Sequence, residues 1–249
     1  TVLLGFLKNA LAVGYFAAAT KVMQMLLQLS SCLGSVMMPR ASHLIAEDKE
    51  SEFNKLIQKS YDFTLALALP LTVGLIFCAP SLVTALCGAK FENSILPSQI
   101  IAPIILMVAI SNVFGIQVLF PKGKINIVTF CCGIGAIMDL ILNLCLIPFF
   151  SYVGTSIAYL GAEVATTVSM YFIGRKYLPI TYFKRSHLNY ILGGILMAIV
   201  LYAVSRLNLP VLSILIIQGC SGILLYFVFL IICKDALLMQ VLSKFRKRL

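Results

Sequence analysis

Long apolar runs separated by short polar segments follow one another along the chain. Seven of these runs approach the ~20 residues that a helix needs to cross a ~30 Å hydrocarbon core, and no stretch alternates with the period of two that a membrane strand requires. The pattern predicts an all-α, polytopic membrane helix bundle with about seven transmembrane helices, forming one transmembrane lobe over residues 1–249. The predicted spans lie near 12–36, 62–86, 97–120, 126–148, 152–173, 188–206 and 210–233.

Positive charges alternate between the predicted connections. Of the 19 Lys and Arg residues, only Lys8, Lys90 and Arg206 fall in one alternate set of connections, and Lys21 lies inside the first span. The others fall in the opposite set, which includes a basic tail at 236–249. Because cytoplasmic loops are enriched in Lys and Arg, we expect a multi-pass protein that begins outside and has a cytoplasmic C-terminus.

Two amphipathic segments are too short to span. Residues 50–60 and the tail 236–249 each combine an apolar side with charged positions. Both fit helices that lie in the plane of the lipid headgroups. A solvated connector or tail remains the alternative for each.

Composition changes the picture in three respects. With 61% hydrophobic and 11% charged residues in 249, a soluble fold could not bury the apolar surface, so the lipid bilayer is the expected partner. The net charge of +10 lies at the ends of the spans, and we therefore predict no nucleic-acid partner. The eight cysteines lie mostly inside apolar runs without CxxC or Cys/His spacing, so no disulfide framework, metal site or cofactor is predicted.

Ionisable residues near the middle of spans are the strongest functional signal. Lys21, Asp139 and Glu163 each cost ~2.5–3.5 kcal/mol to insert, and such residues usually mark a pathway. Lys21 shares one side of its predicted helix with Gln24 and Gln28, since these positions are spaced three and four apart. This stripe either lines a wet cavity or bonds across a helix–helix interface.

The acids belong to two spans joined by a short turn at 149–151, which makes the spans antiparallel neighbours. Asp139 and Glu163 are therefore candidates either for binding a coupling ion or for a structural, hydrogen-bonded pair. No catalytic residue is predicted. The candidate cavity residues, all long or polar side chains inside spans, are Lys21, Gln24, Gln28, Asn112, Gln117 and Asn143.

Several stretches, taken in order, resemble one family. They are VGYFAAATK at 13–21, VMMPRAS at 36–42, ALPL at 68–71, SNVFGIQVL at 111–119 and DLILN at 139–143, followed by Pro148, Gly154 and Glu163. Over nearly its whole length the chain resembles the C-terminal half of bacterial polysaccharide flippases of the multidrug/oligosaccharidyl-lipid/polysaccharide exporter superfamily. One departure is Asp139, where that family more often has Asn.

This resemblance implies one lobe of a two-lobed transporter with 12–14 helices in the bacterial cytoplasmic membrane. The implied activity is movement of an undecaprenyl-diphosphate-linked oligosaccharide to the outer leaflet for cell-surface polysaccharide biosynthesis. The implied partners are that lipid-linked oligosaccharide, the missing N-terminal half, and glycan polymerases and glycosyltransferases. Because the first residue is Thr1, we expect the chain to be a piece of a longer protein.

Three other functions compete with this interpretation. A multidrug/cation antiporter shares the fold, although that branch usually has twelve helices and would lack the last two spans. A membrane-embedded glycan polymerase or acyltransferase needs a catalytic constellation, but the two histidines, His43 and His187, have no acid at motif spacing, so we predict that the chain is not an enzyme. The third alternative is a scaffold for glycan assembly that transports nothing.

Overall fold

The fold comes from a computed structural model that describes residues 2–182, 184–207, 209–235 and 239, without the side chains of 31–36. Apart from Met239, the predicted basic tail 236–249 lies outside these residues. The regular elements described are all helical, which confirms the all-α prediction. In chain order they are α1 (Val2–Leu7), α2 (Ala10–Ala46), α3 (Glu50–Cys87), a 3-10 turn (Ala89–Ser94), α4 (Ile95–Ile101), α5 (Ile104–Asn112), a π-helix (Val113–Leu119), α6 (Ile125–Gly174), a 3-10 turn (Arg175–Tyr177), α7 (Arg185–Ser205) and α8 (Val211–Ile232).

The described part of the chain contains five helices that are long and apolar enough to cross a membrane. A sixth is formed if the pair 89–101 and 104–119, bent by 43°, is counted as one broken span. The break includes Pro103, and proline can bend a membrane helix when neighbouring groups satisfy the freed backbone. These helices make the protein a multi-pass membrane protein.

The longest helix, α6, folds back on itself. Ser151 adopts φ 51° and ψ −129° and separates an arm at 125–150 from an arm at 152–174. The arms are antiparallel and close: a Cβ built on Gly154 would lie 2.6 Å from the Leu146 carbonyl oxygen. Each arm is long enough to cross a ~30 Å core by itself, so α6 supplies two of the seven predicted segments.

Helices α2 and α3 extend beyond the predicted spans. At 37 and 38 residues, each is about 55 Å long, which exceeds the thickness of the hydrocarbon core. Residues 50–60 are the first turns of α3, so the prediction of a separate helix in the headgroup plane is wrong. Their apolar side packs Phe53 and Ile57 in one buried cluster with Ala41 and Leu44 of α2, and protein therefore covers the surface that lipid was expected to cover.

Basic loops from different parts of the chain meet at the N-terminal end of α3. Lys122 lies 3.6 Å from Glu50, and Lys184 lies 2.8 Å from Asp62. At the opposite end of the bundle, the ring of Tyr15 contacts Phe91 and Tyr152. Aromatic rings of this kind are typical of a membrane–water interface.

The last two helices pack against α3. Tyr190, Met197 and Leu201 of α7 and Tyr226 and Leu230 of α8 belong to the main buried cluster. Their other sides remain exposed, with Leu212, Ile216 and Leu224 of α8 more than half exposed. Helices α7 and α8 therefore form one side of the lobe and leave a broad apolar face for lipid.

Candidate functional site

A polar cleft of about 510 Å³ opens between the π-helix and the two arms of α6. Its polar lining comes from three segments that are far apart in sequence: Asn112 at the end of α5, Asp139 in the first arm, and Glu163 in the second arm. Both acids are half-buried. The structure thus brings together three of the residues that the sequence singled out.

The local backbone shapes one wall of this cleft. Directly after Asn112 the helix widens into the π-helix Val113–Leu119, a rare form that is frequent at functional sites. Gly115 and Ile116 of this segment line the cleft with Asn112. A wider turn shifts the direction of every following side chain, which affects the position of Gln117.

Close approach of the two α6 arms sets the other wall. A Cβ on Gly135 would clash with Thr166 Oγ1 and would lie 3.2 Å from the Ala162 carbonyl oxygen. Glycine is required where helices come this near. Because Asp139 lies one turn after Gly135 and Glu163 one residue after Ala162, this contact also fixes the spacing of the two acids.

Asp139 is held by a neighbour on its own arm. Asn143 Nδ2 donates to the Asp139 carboxylate at 2.9 Å and to the Asp139 backbone carbonyl at 2.8 Å. Asn143 is itself buried, so it orients the acid instead of lining the open part of the cleft. Sequence analysis predicted Asn143 as a candidate cavity residue, but its side chain is not among those that line this cleft.

Glu163 has a different environment. No side chain among the described residues forms an ion pair with its carboxylate. Its backbone carbonyl accepts a hydrogen bond from Thr167, whose Oγ1 also lies 3.2 Å from the carbonyl oxygen of Met107 on α5. Thr167 therefore ties the second arm to α5 while leaving the Glu163 carboxylate available to a ligand.

The polar stripe on α2 is exposed in this chain. Lys21, Gln24 and Gln28 all present exposed side chains, while Val22 and Met23 are buried on the other side of the helix. The ion pairs found among the described residues include neither Lys21 nor the two cleft acids. The alternative in which Lys21 pairs with Asp139 or Glu163 to hold the lobe together is thus not what the structure shows.

Gln117 lies elsewhere than the sequence suggested. It is 1% exposed and accepts a hydrogen bond from Ser60 of α3 at 2.6 Å. The expectation that it lines the cavity with Asn112 is therefore wrong. Asn112 ends α5, whereas Gln117 lies inside the π-helix and faces Ser60 of α3, and a buried amide needs a protein partner.

One polar cluster was missed from the sequence. Asp62 of α3 accepts hydrogen bonds from Gln58, Lys184 and His187 at 2.7, 2.8 and 2.9 Å, and the other ring nitrogen of His187 lies 2.8 Å from the Tyr182 carbonyl oxygen. Burial raises the pKa of the Tyr182 hydroxyl to about 12, so this connector tyrosine stays neutral. His187 does have an acid partner, but 125 residues away, beyond the reach of any local motif.

The side chains of the cleft are of types that can bind a small positively charged ligand. Carboxylate and amide oxygens suit a proton or a hard cation, while the described residues contain no group of three His, Cys, Asp or Glu side chains that could hold a metal ion. Two acids with different neighbours, one held by an amide and one unpaired, can bind and release such a ligand.

Comparisons with known proteins agree with this architecture. Residues 1–96 match the family model described as "Polysaccharide biosynthesis protein". The chain is 26% identical over 172 residues to the Escherichia coli K12 protein named "Putative O-antigen transporter", covering 68% of this chain and 40% of the relative. It is also 26% identical over 165 residues to an uncharacterised membrane protein of Methanocaldococcus jannaschii, covering 66% of this chain and 31% of that one.

The fold has a close match among solved structures. The "Lipid II flippase MurJ, inward closed conformation" superposes with a TM-score of 0.76 at 17% identity, over 94% of this chain and 50% of MurJ. The chain thus spans half or less of the length of these relatives. The family match over residues 1–96, the sequence relative and the shared multi-helix fold together support the resemblance to polysaccharide flippases that the sequence motifs carry.

Proposed function

We propose that this chain is one lobe of a flippase that moves an undecaprenyl-diphosphate-linked oligosaccharide to the outer leaflet of the bacterial cytoplasmic membrane. The observation that carries the proposal is the polar stripe of Lys21, Gln24 and Gln28, exposed on an otherwise apolar membrane helix. A lipid tail can stay in the bilayer, but a diphosphate and its sugars need a wet, cationic route. The stripe supplies the charge and the amides for that route.

A second lobe of similar size would face this stripe. The chain corresponds to 50% of MurJ and 40% of the O-antigen transporter relative, so each of those proteins has room for two such lobes. We propose the order implied by the motifs, with this chain as the C-terminal half and its C-terminus in the cytoplasm. Glycan polymerases and glycosyltransferases of the same glycan are then its functional partners.

The cleft between the arms of α6 has a separate role in this proposal. It is lined by Asp139 and Glu163, which would repel a diphosphate, so the substrate belongs to the stripe and the cleft takes a coupling proton or cation. Loss or gain of a positive charge between the arms changes the electrostatic repulsion there. That change can bias the lobe between two arrangements, as alternating access requires.

Transport of a soluble cationic drug is the second candidate, because the acidic cleft could also accept an organic cation. The lipid-linked substrate is favoured for two reasons. Lys21 would repel an organic cation, and the similar proteins are named as a putative O-antigen transporter and a Lipid II flippase. Catalysis is not proposed, because the relatives with named activities are transporters or flippases.

The decisive test uses the whole gene in a strain that lacks its own glycan flippase. Restoration of surface glycan, with no change in efflux of a cationic dye, is the expected result. Dye efflux without surface glycan would favour the antiporter. Two variants separate the roles of the stripe and the cleft. If neutralising the cleft acids leaves surface glycan intact while removal of the α2 stripe abolishes it, the substrate is assigned to the stripe and the coupling site remains unassigned.

A further inference from the structure

A second polar cleft lies at the end of the bundle opposite the lysine-rich loops. It has a volume of about 420 Å³ and lies between the end of α3, the end of α7 and the start of α8. Arg206, Ser205 and Thr84 line its polar part, and Phe77 and Ile214 line its apolar part. A cation and hydroxyls beside an apolar wall at a helix end complement a phospholipid, in which a charged headgroup is joined to acyl chains.

Arg206 is held in place by Tyr202, one turn earlier on the same helix. Its guanidinium lies 4.9 Å from the centre of the Tyr202 ring and donates to the Tyr202 hydroxyl. A guanidinium has five N–H donors, so most of them remain for a ligand. No Asp or Glu forms an ion pair with Arg206 within the described part of the chain. The charge is therefore positioned and uncompensated.

Two hydroxyls of α3 face this cleft without a partner in the described part of the protein. Many hydroxyls in the described helices bond to their own helix backbone, as Thr20, Ser98 and Thr129 do. Ser81 and Thr84 make no side-chain hydrogen bond to the described residues, although Ser81 is only 8% exposed. Both line the cleft beside Arg206. A hydroxyl left without a partner in a membrane is costly unless a ligand satisfies it.

From these features we propose that the cleft binds the phosphate of an anionic membrane phospholipid. Arg206 provides charge-assisted hydrogen bonds to the phosphate oxygens, the two hydroxyls of α3 donate to the same group, and the wall of Phe77 and Ile214 receives the start of an acyl chain. The absence of carboxylates from its lining selects against zwitterionic lipids, because nothing there accepts their ammonium group. This site is separate from the stripe and the acidic cleft, and its ligand is not the transported glycan.

The test measures lipid binding to the purified full-length protein by native mass spectrometry and by the thermal shift that added lipid produces. Dioleoyl-phosphatidylglycerol should bind and raise the unfolding temperature, whereas dioleoyl-phosphatidylcholine should not. Arg206→Ala should weaken phosphatidylglycerol binding about tenfold, the loss expected for a charge-assisted hydrogen bond. Lys90→Ala is the matched control, because it removes an exposed cation near the end of α3 outside the cleft.

A second variant separates the site from charge alone. Ser81→Ala with Thr84→Val leaves Arg206 intact and should weaken binding at least about fivefold, since two neutral hydrogen bonds are lost. Equal loss in Arg206→Ala and Lys90→Ala would overturn the proposal, because it would indicate unspecific attraction. Full competition by millimolar inorganic phosphate, or phosphatidylcholine binding as tight as phosphatidylglycerol binding, would also overturn it. Glycan export by Arg206→Ala should remain, so the result is independent of the proposed transport function.

Discussion

Tyr226 of α8 donates its hydroxyl proton to the backbone carbonyl oxygen of Ala66 on α3 at 2.9 Å. Ala66 lies four residues before Pro70, and proline has no N–H to offer that carbonyl. The same arrangement recurs at Pro80, where Gln99 Nε2 donates to the freed carbonyl of Ile76 at 2.9 Å. Two prolines inside one membrane helix are thus tolerated because side chains from neighbouring helices satisfy the carbonyls that they release.

Removing the tyrosine hydroxyl should loosen the contact between α8 and α3. Tyr226→Phe keeps the ring in its cluster but leaves the Ala66 carbonyl without a donor, so the free energy of unfolding should fall by about 0.6–1.7 kcal/mol. Reversible unfolding in detergent measures this. Tyr171→Phe is the control, because the Tyr171 hydroxyl makes no hydrogen bond to the residues that the structure describes. Equal loss in both variants would contradict the assigned role.

Glycine at position 135 should be required for the acidic cleft. Gly135→Ala places a methyl group against Thr166 and the Ala162 carbonyl, so the arms of α6 must separate at a cost of about 1–3 kcal/mol. Export should fall with stability. Gly133→Ala lies on the same arm with nothing within 4 Å of the added methyl group. It should change neither the free energy of unfolding nor glycan export. A silent Gly135→Ala would show that arm spacing does not matter.

The buried cluster around Asp62 should contribute to stability more than to transport. Its carboxylate and the His187 ring are 15% and 8% exposed, so Asp62→Asn leaves the Lys184 ammonium and the His187 ring without their carboxylate partner. Breaking such a pair costs about 3 kcal/mol, which thermal unfolding of the purified protein would detect. Glu52→Gln removes an exposed acid from the same helix and should change little. Export per folded molecule should be the same in both variants.

What could be predicted from the sequence follows the range of the interactions involved. Bilayer thickness fixes the length of an apolar span, so the membrane bundle and its antiparallel α6 arms could be inferred from local pattern. The contacts of Gln117 with Ser60 and of Asp62 with His187 join residues 57 and 125 apart, and periodicity carries no information about such pairs. The segment 50–60 was misassigned for the same reason, because its apolar side looks alike whether lipid or α2 covers it.

The two cleft acids should respond differently to neutralisation. Asp139→Asn keeps an acceptor beside Asn143 and introduces the residue that the family more often has, so export should be nearly normal. Glu163→Gln removes the unpaired carboxylate, and if it carries a coupling proton, export should fall and lose its dependence on external pH. Glycan export in the flippase-deficient strain, measured across external pH, distinguishes the roles. Equal, pH-independent losses in both variants would favour a structural pair.

Lys21 should be essential for export but not for folding. Its side chain is exposed on α2, and the ion pairs of the described residues do not include it, so its removal leaves no acid unpaired. An ammonium binds phosphate as a point charge, and Lys21→Ala should therefore abolish export while membrane abundance stays normal. Lys21→Arg keeps the charge with a different geometry and should retain partial activity.

The control and the competing explanation are both accessible. Lys55→Ala removes an exposed cation from α3, outside the stripe, and should leave export intact, which separates the position of Lys21 from net charge. If Lys21 instead balances a cleft acid in another conformation of the transporter, Lys21→Ala should lower abundance, because a buried acid loses its partner. Adding Glu163→Gln or Asp139→Asn should then restore export. Full rescue by either double variant would rule out phosphate binding as the role of Lys21, whereas normal abundance without export in all three would assign Lys21 to the substrate.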